Sequence, residues 1–202
     1  MDKTAFMILD KLYPQEISFL DEADPFRFLC CVLLSAQTRD DYVNAVAPRI
    51  WERWPTVQAL AEADLEELET VVHPLGFYRS KARSLKALAN AVLERGGEIP
   101  SSIDELVKLP GVGRKTANCY INHVVGEPAV IVDTHFARVA KRLGYAHGDD
   151  PTLIEAEIRC AFESGEWSRL SMVLNLHGRK VCHARKPECA SCPVASYCMS
   201  RQ

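Results

Sequence analysis

A Pro-Gly-Val-Gly interruption between two helical patterns constrains this chain more than any other stretch. In Leu109-Pro-Gly-Val-Gly-Arg-Lys-Thr-Ala117, Pro110 cannot prolong the short amphipathic run of Ile103, Leu106, Val107 and Leu109. That run opens at Ser102-Ile-Asp-Glu105, which has capping-box spacing. Gly111 and Gly113 permit backbone angles that a side chain forbids, and residues 114–125 return to a helical pattern. The expected unit is helix, glycine hairpin, helix. Its second helix begins with unpaired amides at the positive end of a dipole, a place for a phosphate oxygen. Such a grip on a nucleic-acid backbone is independent of base sequence.

Helix starts favour acidic side chains, yet Arg114 and Lys115 put two cations in this first turn. Two readings stand side by side. In one, both cations neutralise phosphates. In the other, Lys115 is a nucleophile: a free lysine amine with pKa about 10.4 is neutral in roughly one molecule in 2,500 at pH 7. Crowding by Arg114, the dipole and partial burial each raise that fraction. Sixteen residues beyond the hairpin stretch, Val132-Asp-Thr-His135 supplies a carboxylate, Asp133, that also suits the N-cap of a helix starting at Thr134.

Helical periodicity dominates the remainder and no strand alternation is found, so the fold class is all-α. Phe6, Leu9 and Leu12 mark a first helix ended before Pro14, and Asp24-Pro25 reads as cap and first residue of an apolar, central helix over residues 26–36. A capping-box-like start at Thr38 leads toward Trp51 and Trp54, with Pro48 kinking or dividing that helix. Short helices are expected over residues 56–61 and 65–72, then a long one over 80–95. Asp150-Pro151 starts a helix through Phe162, and residues 167–176 form the last one.

With 202 residues, 48% of them hydrophobic, the chain has material for one core or two small ones. Its longest apolar run, residues 28–34, is too short to span a bilayer, and the N-terminus lacks the form of a secretion signal, which points to the cytoplasm. The net charge of −3 runs mildly against a nucleic-acid partner. The distribution is more informative than the sum. Residues 168–202 hold six Lys or Arg (Arg169, Arg179, Lys180, Arg185, Lys186, Arg201) against one carboxylate, Glu188, while acid gathers between Glu62 and Glu69 as a solvated face.

Cys182, Cys189, Cys192 and Cys198 follow a C-x6-C-x2-C-x5-C spacing, which in a chain of cytosolic type favours metal coordination over disulfides. Four thiolates hold either zinc or an iron–sulfur cube, and the spacing chemistry leaves both open. Cys30, Cys31, Cys119 and Cys160 read as packing residues in helices.

The hairpin stretch extended to Asn118, together with Val132-Asp-Thr-His135, resembles the endonuclease III family of helix-hairpin-helix DNA glycosylases with an associated lyase activity. The similarity continues through Leu33-Leu-Ser-Ala-Gln37, Gly76-Phe-Tyr-Arg-Ser-Lys81, His177-Gly-Arg179 and the cysteine cluster, covering nearly the whole chain. It implies a six-helix barrel domain with the hairpin over residues 18–127. Residues 1–17 and 128–202 would form a second helical domain carrying a [4Fe-4S] cluster on the four cysteines, with the active cleft between the domains. The resemblance makes Lys115 the Schiff-base nucleophile and Asp133 its catalytic partner. Gln37 would enter the space left by an extruded nucleotide and Phe77 would wedge the opposite strand, where the family often has a leucine. Gly111, Gly113 and Arg114 would hold DNA, as would Arg185 and Lys186 on the cluster loop; His135 reads as structural support. The implied activity is a bifunctional glycosylase and abasic-site lyase of base excision repair, acting on oxidised pyrimidines. The implied partner is double-stranded DNA with damaged bases or abasic sites, bound by a monomer at the nucleoid without membrane association. Monofunctional adenine- or thymine-mismatch glycosylases usually replace the lysine, and an idle DNA-binding iron–sulfur module would need neither Lys115 nor Asp133.

Overall fold

The computed structural model of the chain describes residues 2–15 and 19–201. Its elements are helical: α1 (Thr4–Leu12), α2 (Pro25–Leu34), α3 (Asp40–Arg53), α4 (Val57–Glu62), α5 (Leu65–Val72), α6 (Tyr78–Glu94), α7 (Ile103–Leu106), α8 (Arg114–Tyr120), α9 (Thr134–Arg142), α10 (Pro151–Ala161) and α11 (Ser164–Lys180). A 3-10 turn at His73–Leu75 precedes α6, and α8 runs into a π-helical turn at Ile121–Val125. No strand occurs among the described residues, in keeping with the all-α expectation. Among them, too, no helix is long and apolar enough to cross a membrane.

Contacts divide the chain into two compact units, Ser18–Val125 and the pair Met1–Ile17 with Gly126–Gln202. The junction expected at residues 17–18 lies outside the described residues. In the Ser18–Val125 unit, α2 buries every residue from Phe28 to Leu34, as its near-continuous apolar run requires. Helix α6 packs against α4 and α5 through Leu85, Leu88 and Val92, which recur at helical spacing. Helix α3 passes through Pro48 without dividing. The carboxylates Glu62, Asp64, Glu66 and Glu67 are exposed, the solvated acidic face that their crowding predicts.

In the other unit, Phe6 and Leu9 of α1 join Phe136, Val139, Ile154, Phe162, Val173 and Leu174 in one core. Phe6 meets the Phe162 ring edge-on at 5.9 Å, the geometry favoured by aromatic quadrupoles. Arg169 donates to Asp10 Oδ1 (2.5 Å) and to the carbonyls of Asp10, Tyr13 and Pro14 (2.8, 2.9 and 2.6 Å), so it closes the C-terminal end of α1. That cation of the basic C-terminal stretch therefore serves its own chain.

Local cap signals have mixed outcomes. Asp24 accepts from Arg27 N and Asp150 from Thr152 N, each with proline at the first helical position, as expected. Ser102 makes no side-chain cap bond, and Thr38 is not a cap at all, because Arg39 takes that position. Helix α11 begins earlier than its apolar pattern indicates, fixed by a capping box between Glu163 and Glu166. Cys30 and Cys31 are buried as packing residues, but Cys160 lies on the exposed face of α10, against expectation.

Candidate functional site

The hairpin after α7 is anchored from below and open above. Leu109 and Val112 are buried, and Val112 N donates to Leu109 O at 3.1 Å, turning the chain across the end of α7. Gly111 has φ +76°, and a Cβ there would stand 2.8 Å from Leu33 Cδ1 and 3.2 Å from Ser84 Cβ. It needs glycine for both the angle and the close approach. Gly113 differs from expectation: at φ −86° and ψ 173° it is ordinary extended backbone at the N-cap of α8. A Cβ there would meet nothing within 4 Å. Its hydrogen leaves space rather than an unusual angle. Beyond it, Arg114 is exposed, Lys115 half-buried, and Thr116, Ala117 and Asn118 are buried, so the two cations of α8 are its more exposed residues there.

Among the described residues the non-glycine positions with left-handed backbone are Gln37 (φ 53°), Phe77 (φ 47°) and Lys186 (φ 52°). Each such conformation costs about 1–3 kcal/mol and persists only where the surroundings impose it. Gln37 follows the end of α2 and is exposed; Phe77 is the N-cap of α6 and 67% exposed. Burial in the core therefore does not account for Phe77. Thr38, read from the sequence only as a helix start, and Lys81, given no role there, lie between them: Thr38 Oγ1 donates to Leu75 O at 2.6 Å, and Lys81 Nζ donates to Leu75 O at 3.0 Å and to Thr38 Oγ1.

In the second unit Asp133 is the N-cap of α9, its Oδ1 accepting from Phe136 N at 2.7 Å. Its Oδ2 accepts from Asn175 Nδ2 at 2.5 Å. Asn175 sits on α11, 9% exposed, and its own Oδ1 is buried without a partner among the described residues. Both carboxylate oxygens are thus aimed. His135, next in α9, has Nδ1 3.2 Å from Arg138 Nη2, and Arg138 also donates to Gly178 O and Cys182 O at 2.9 Å each. The bonds of Arg138 hold α9, α11 and the start of the cysteine loop together, and His135 touches that arginine.

Cys182, Cys189, Cys192 and Cys198 are partly buried and line one cavity with Val139, Leu143 and Val194. Arg142 Nη1 donates to Cys182 Sγ at 3.2 Å and to His183 O at 2.8 Å. Buried His177 has Nε2 3.6 Å from Cys192 Sγ and Nδ1 2.9 Å from the Tyr13 hydroxyl. Burial pushes the His177 pKa down to about 4 and that of Tyr13 up to about 12. A neutral imidazole that accepts from the phenol at Nδ1 carries its proton on Nε2, pointed at the sulfur. Four sulfurs with cationic and N–H donors around them suit an electron-rich iron–sulfur group. Arg185 and Lys186 project from the same loop and are exposed.

A helix-hairpin-helix repair protein is the class this fold and site define. Residues 30–163 match the model for the HhH-GPD superfamily base excision DNA repair protein, and residues 182–198 match the iron-sulfur binding domain of endonuclease III. Endonuclease III of Synechocystis sp. is 41% identical over 97% of this chain and 90% of its own length; that of Escherichia coli is 36% identical over 92% and 88%. A solved structure of a trapped endonuclease III–DNA covalent intermediate superposes with a TM-score of 0.91 at 38% identity, covering 98% of this chain and 96% of the other. A thymine-DNA glycosylase structure, at 20% identity and a TM-score of 0.77, shares the fold. The chain belongs to the endonuclease III family. It has that family's DNA glycosylase and abasic-site lyase activity and an iron–sulfur cofactor.

Proposed function

We propose that this chain excises oxidised pyrimidines from double-stranded DNA, acting as a monomer at the cytoplasmic nucleoid, with Lys115 as the covalent catalyst. The supporting observation is the backbone of Gln37, Phe77 and Lys186: the non-glycine left-handed residues among those described are all ones that the family resemblance marks as DNA contacts. Strain concentrated at such positions is the mark of a site built for a ligand. A damaged base must leave the stack before its sugar carbon is reachable, at a cost of a few kcal/mol. In this reading Gln37 fills the vacated space, Phe77 wedges the opposite strand, the hairpin at Gly111, Gly113 and Arg114 holds a phosphate, and Arg185 and Lys186 on the cluster loop meet the phosphate backbone.

Lys115 Nζ then attacks C1′. The C1′–N bond breaks and the base leaves with the bonding pair, taking up a proton. Sugar-ring opening gives an iminium, whose electron demand acidifies C2′; loss of a C2′ proton expels the 3′-phosphate oxygen and cuts the strand. Asp133 accepts the proton from the lysine ammonium or stabilises positive charge on the sugar. Its Oδ1 is committed to the helix cap and its Oδ2 to Asn175 Nδ2, which together fix the plane of the carboxylate. Cys182, Cys189, Cys192 and Cys198 would hold a [4Fe-4S] cluster. When bound, the cluster supplies four metal–thiolate ties that order the loop bearing Arg185 and Lys186.

Borohydride reduction of the enzyme with a duplex carrying a single oxidised pyrimidine tests this reading. A covalent complex mapping to Lys115 is expected. Base release without a trapped complex would replace the lysine by an activated water.

A further inference from the structure

Lys81 is 5% exposed in the first turn of α6, where the helix dipole disfavours a cation, and no ion pair with a carboxylate involves it among the described residues. Burial pulls its pKa below the ordinary lysine value. It lies in register with Leu85, Leu88 and Val92 on the buried face of α6, where an apolar residue of similar length would pack without any charge to desolvate. For stability alone the lysine is the poorer choice.

Its ammonium instead closes a triangle. Nζ donates to Leu75 O at 3.0 Å and to Thr38 Oγ1, and Thr38 Oγ1 donates to Leu75 O at 2.6 Å. Thr38 is the neighbour of Gln37. Leu75 stands two residues before Phe77, separated from it by Gly76 at φ +68°. The two strained positions of this unit therefore emerge on either side of one buried knot, although they lie forty residues apart in the sequence. Removing the ammonium would leave both backbones free to relax toward common angles.

We propose that Lys81 is a positioning residue for base extrusion, fixing the spacing between Gln37 and Phe77 so that both enter one lesion site. The proposal rests on the reading of those two residues as DNA contacts. It predicts a defect confined to substrates whose nucleotide must be turned out of a duplex.

The test compares Lys81→Met and, should that variant fold poorly, Thr38→Val with the native holoenzyme in single turnover. On an oxidised pyrimidine in duplex DNA, excision should slow by about tenfold, because extrusion carries the defect. On an abasic site in a single-stranded oligonucleotide, cleavage should stay within about twofold, since nothing is extruded. A 2-aminopurine beside the lesion should show a smaller fluorescence rise on binding. Lys81→Met combined with Phe77→Ala should be little slower than Phe77→Ala alone, as expected for residues acting as one unit. Equal losses on both substrates, no loss on the duplex, or additive losses in the double variant would overturn the proposal. Failure of the underlying reading looks different: Gln37→Ala and Phe77→Ala would themselves leave duplex excision unchanged.

Discussion

Asn175 donates through Nδ2 to Asp133 Oδ2 at 2.5 Å, while its own Oδ1 is buried without a partner among the described residues. The amide therefore has one orientation for an ionised carboxylate, and an unused acceptor should its neighbour become a donor. In Asp133→Asn the new amide keeps the cap to Phe136 N, because asparagine caps as well as aspartate. Its nitrogen would face the Asn175 nitrogen, and rotation of the Asn175 amide presents the idle Oδ1 in its place. We expect Asp133→Asn to fold, losing about 1–2 kcal/mol through a weaker neutral hydrogen bond and a lost charge at the start of α9. The single-turnover rate should fall by about 10²–10⁴. Urea melts and rapid-quench kinetics on one preparation check both halves, and an unchanged rate would remove Asp133 from the chemistry.

Lys115→Ala separates function from stability in the opposite direction. The lysine is half-buried in the first turn of α8, where a cation opposes the dipole and alanine is the better helix former. The variant should be as stable as the native chain or more so by about 0.3–1 kcal/mol. It should give no borohydride-trapped complex with damaged duplex. A stable variant that still forms the complex would assign the Schiff base to another amine.

Much of the helix order was legible, because caps such as Asp24-Pro25 and Asp150-Pro151 act through bonds two or three residues long. The capping signal at Thr38 misleads for a physical reason: its hydroxyl oxygen accepts from the Lys81 ammonium and its hydrogen goes to Leu75 O, partners from a distant stretch that no local pattern contains. Asp133 was visible as cap and carboxylate together. Asn175 was not, since a lone asparagine in α11 has no spacing to betray it. Lys81 did leave a signal, a lysine in phase with Leu85, Leu88 and Val92, which reads as a misplaced surface residue until the knot beneath it is seen.

The two hairpin glycines should part company on substitution. In Gly111→Ala the methyl group would sit 2.8 Å from Leu33 Cδ1, inside the buried face of α2, at a backbone angle that alanine rarely adopts. We expect a loss of about 1–3 kcal/mol in stability. In Gly113→Ala the angle is ordinary and nothing lies within 4 Å, so stability should change by no more than about 0.5 kcal/mol. If the open space is kept for a phosphate, DNA affinity of Gly113→Ala should drop by about tenfold, or about 1.4 kcal/mol. Thermal melts paired with fluorescence-anisotropy titrations distinguish the two, and native affinity in Gly113→Ala would leave the hairpin without its assigned role.

Removing the iron–sulfur group should unravel the end of the chain selectively. Of residues 181–201, Val194 alone is buried, a contribution of about 1.5–3 kcal/mol. Arg138 and Arg142 add hydrogen bonds to Cys182 O, His183 O and Ala184 O, worth about 0.5–1.5 kcal/mol apiece. Such contacts are few for a segment of about twenty residues whose backbone must be ordered, and the thiolate bonds of the cofactor are the remaining fastening. Hydrogen exchange on protein stripped of its cluster should show protection lost from residue 181 onward, extending into the last turn of α11 where His177 faces Cys192. Amides of α2 and α6, whose unit contains none of the four cysteines, should keep their protection. Uniform loss across both units would mean that the cofactor holds the whole fold, and retained protection beyond residue 181 that the loop orders itself; selective loss makes the cluster the fastening of the one segment on which Arg185 and Lys186 are presented.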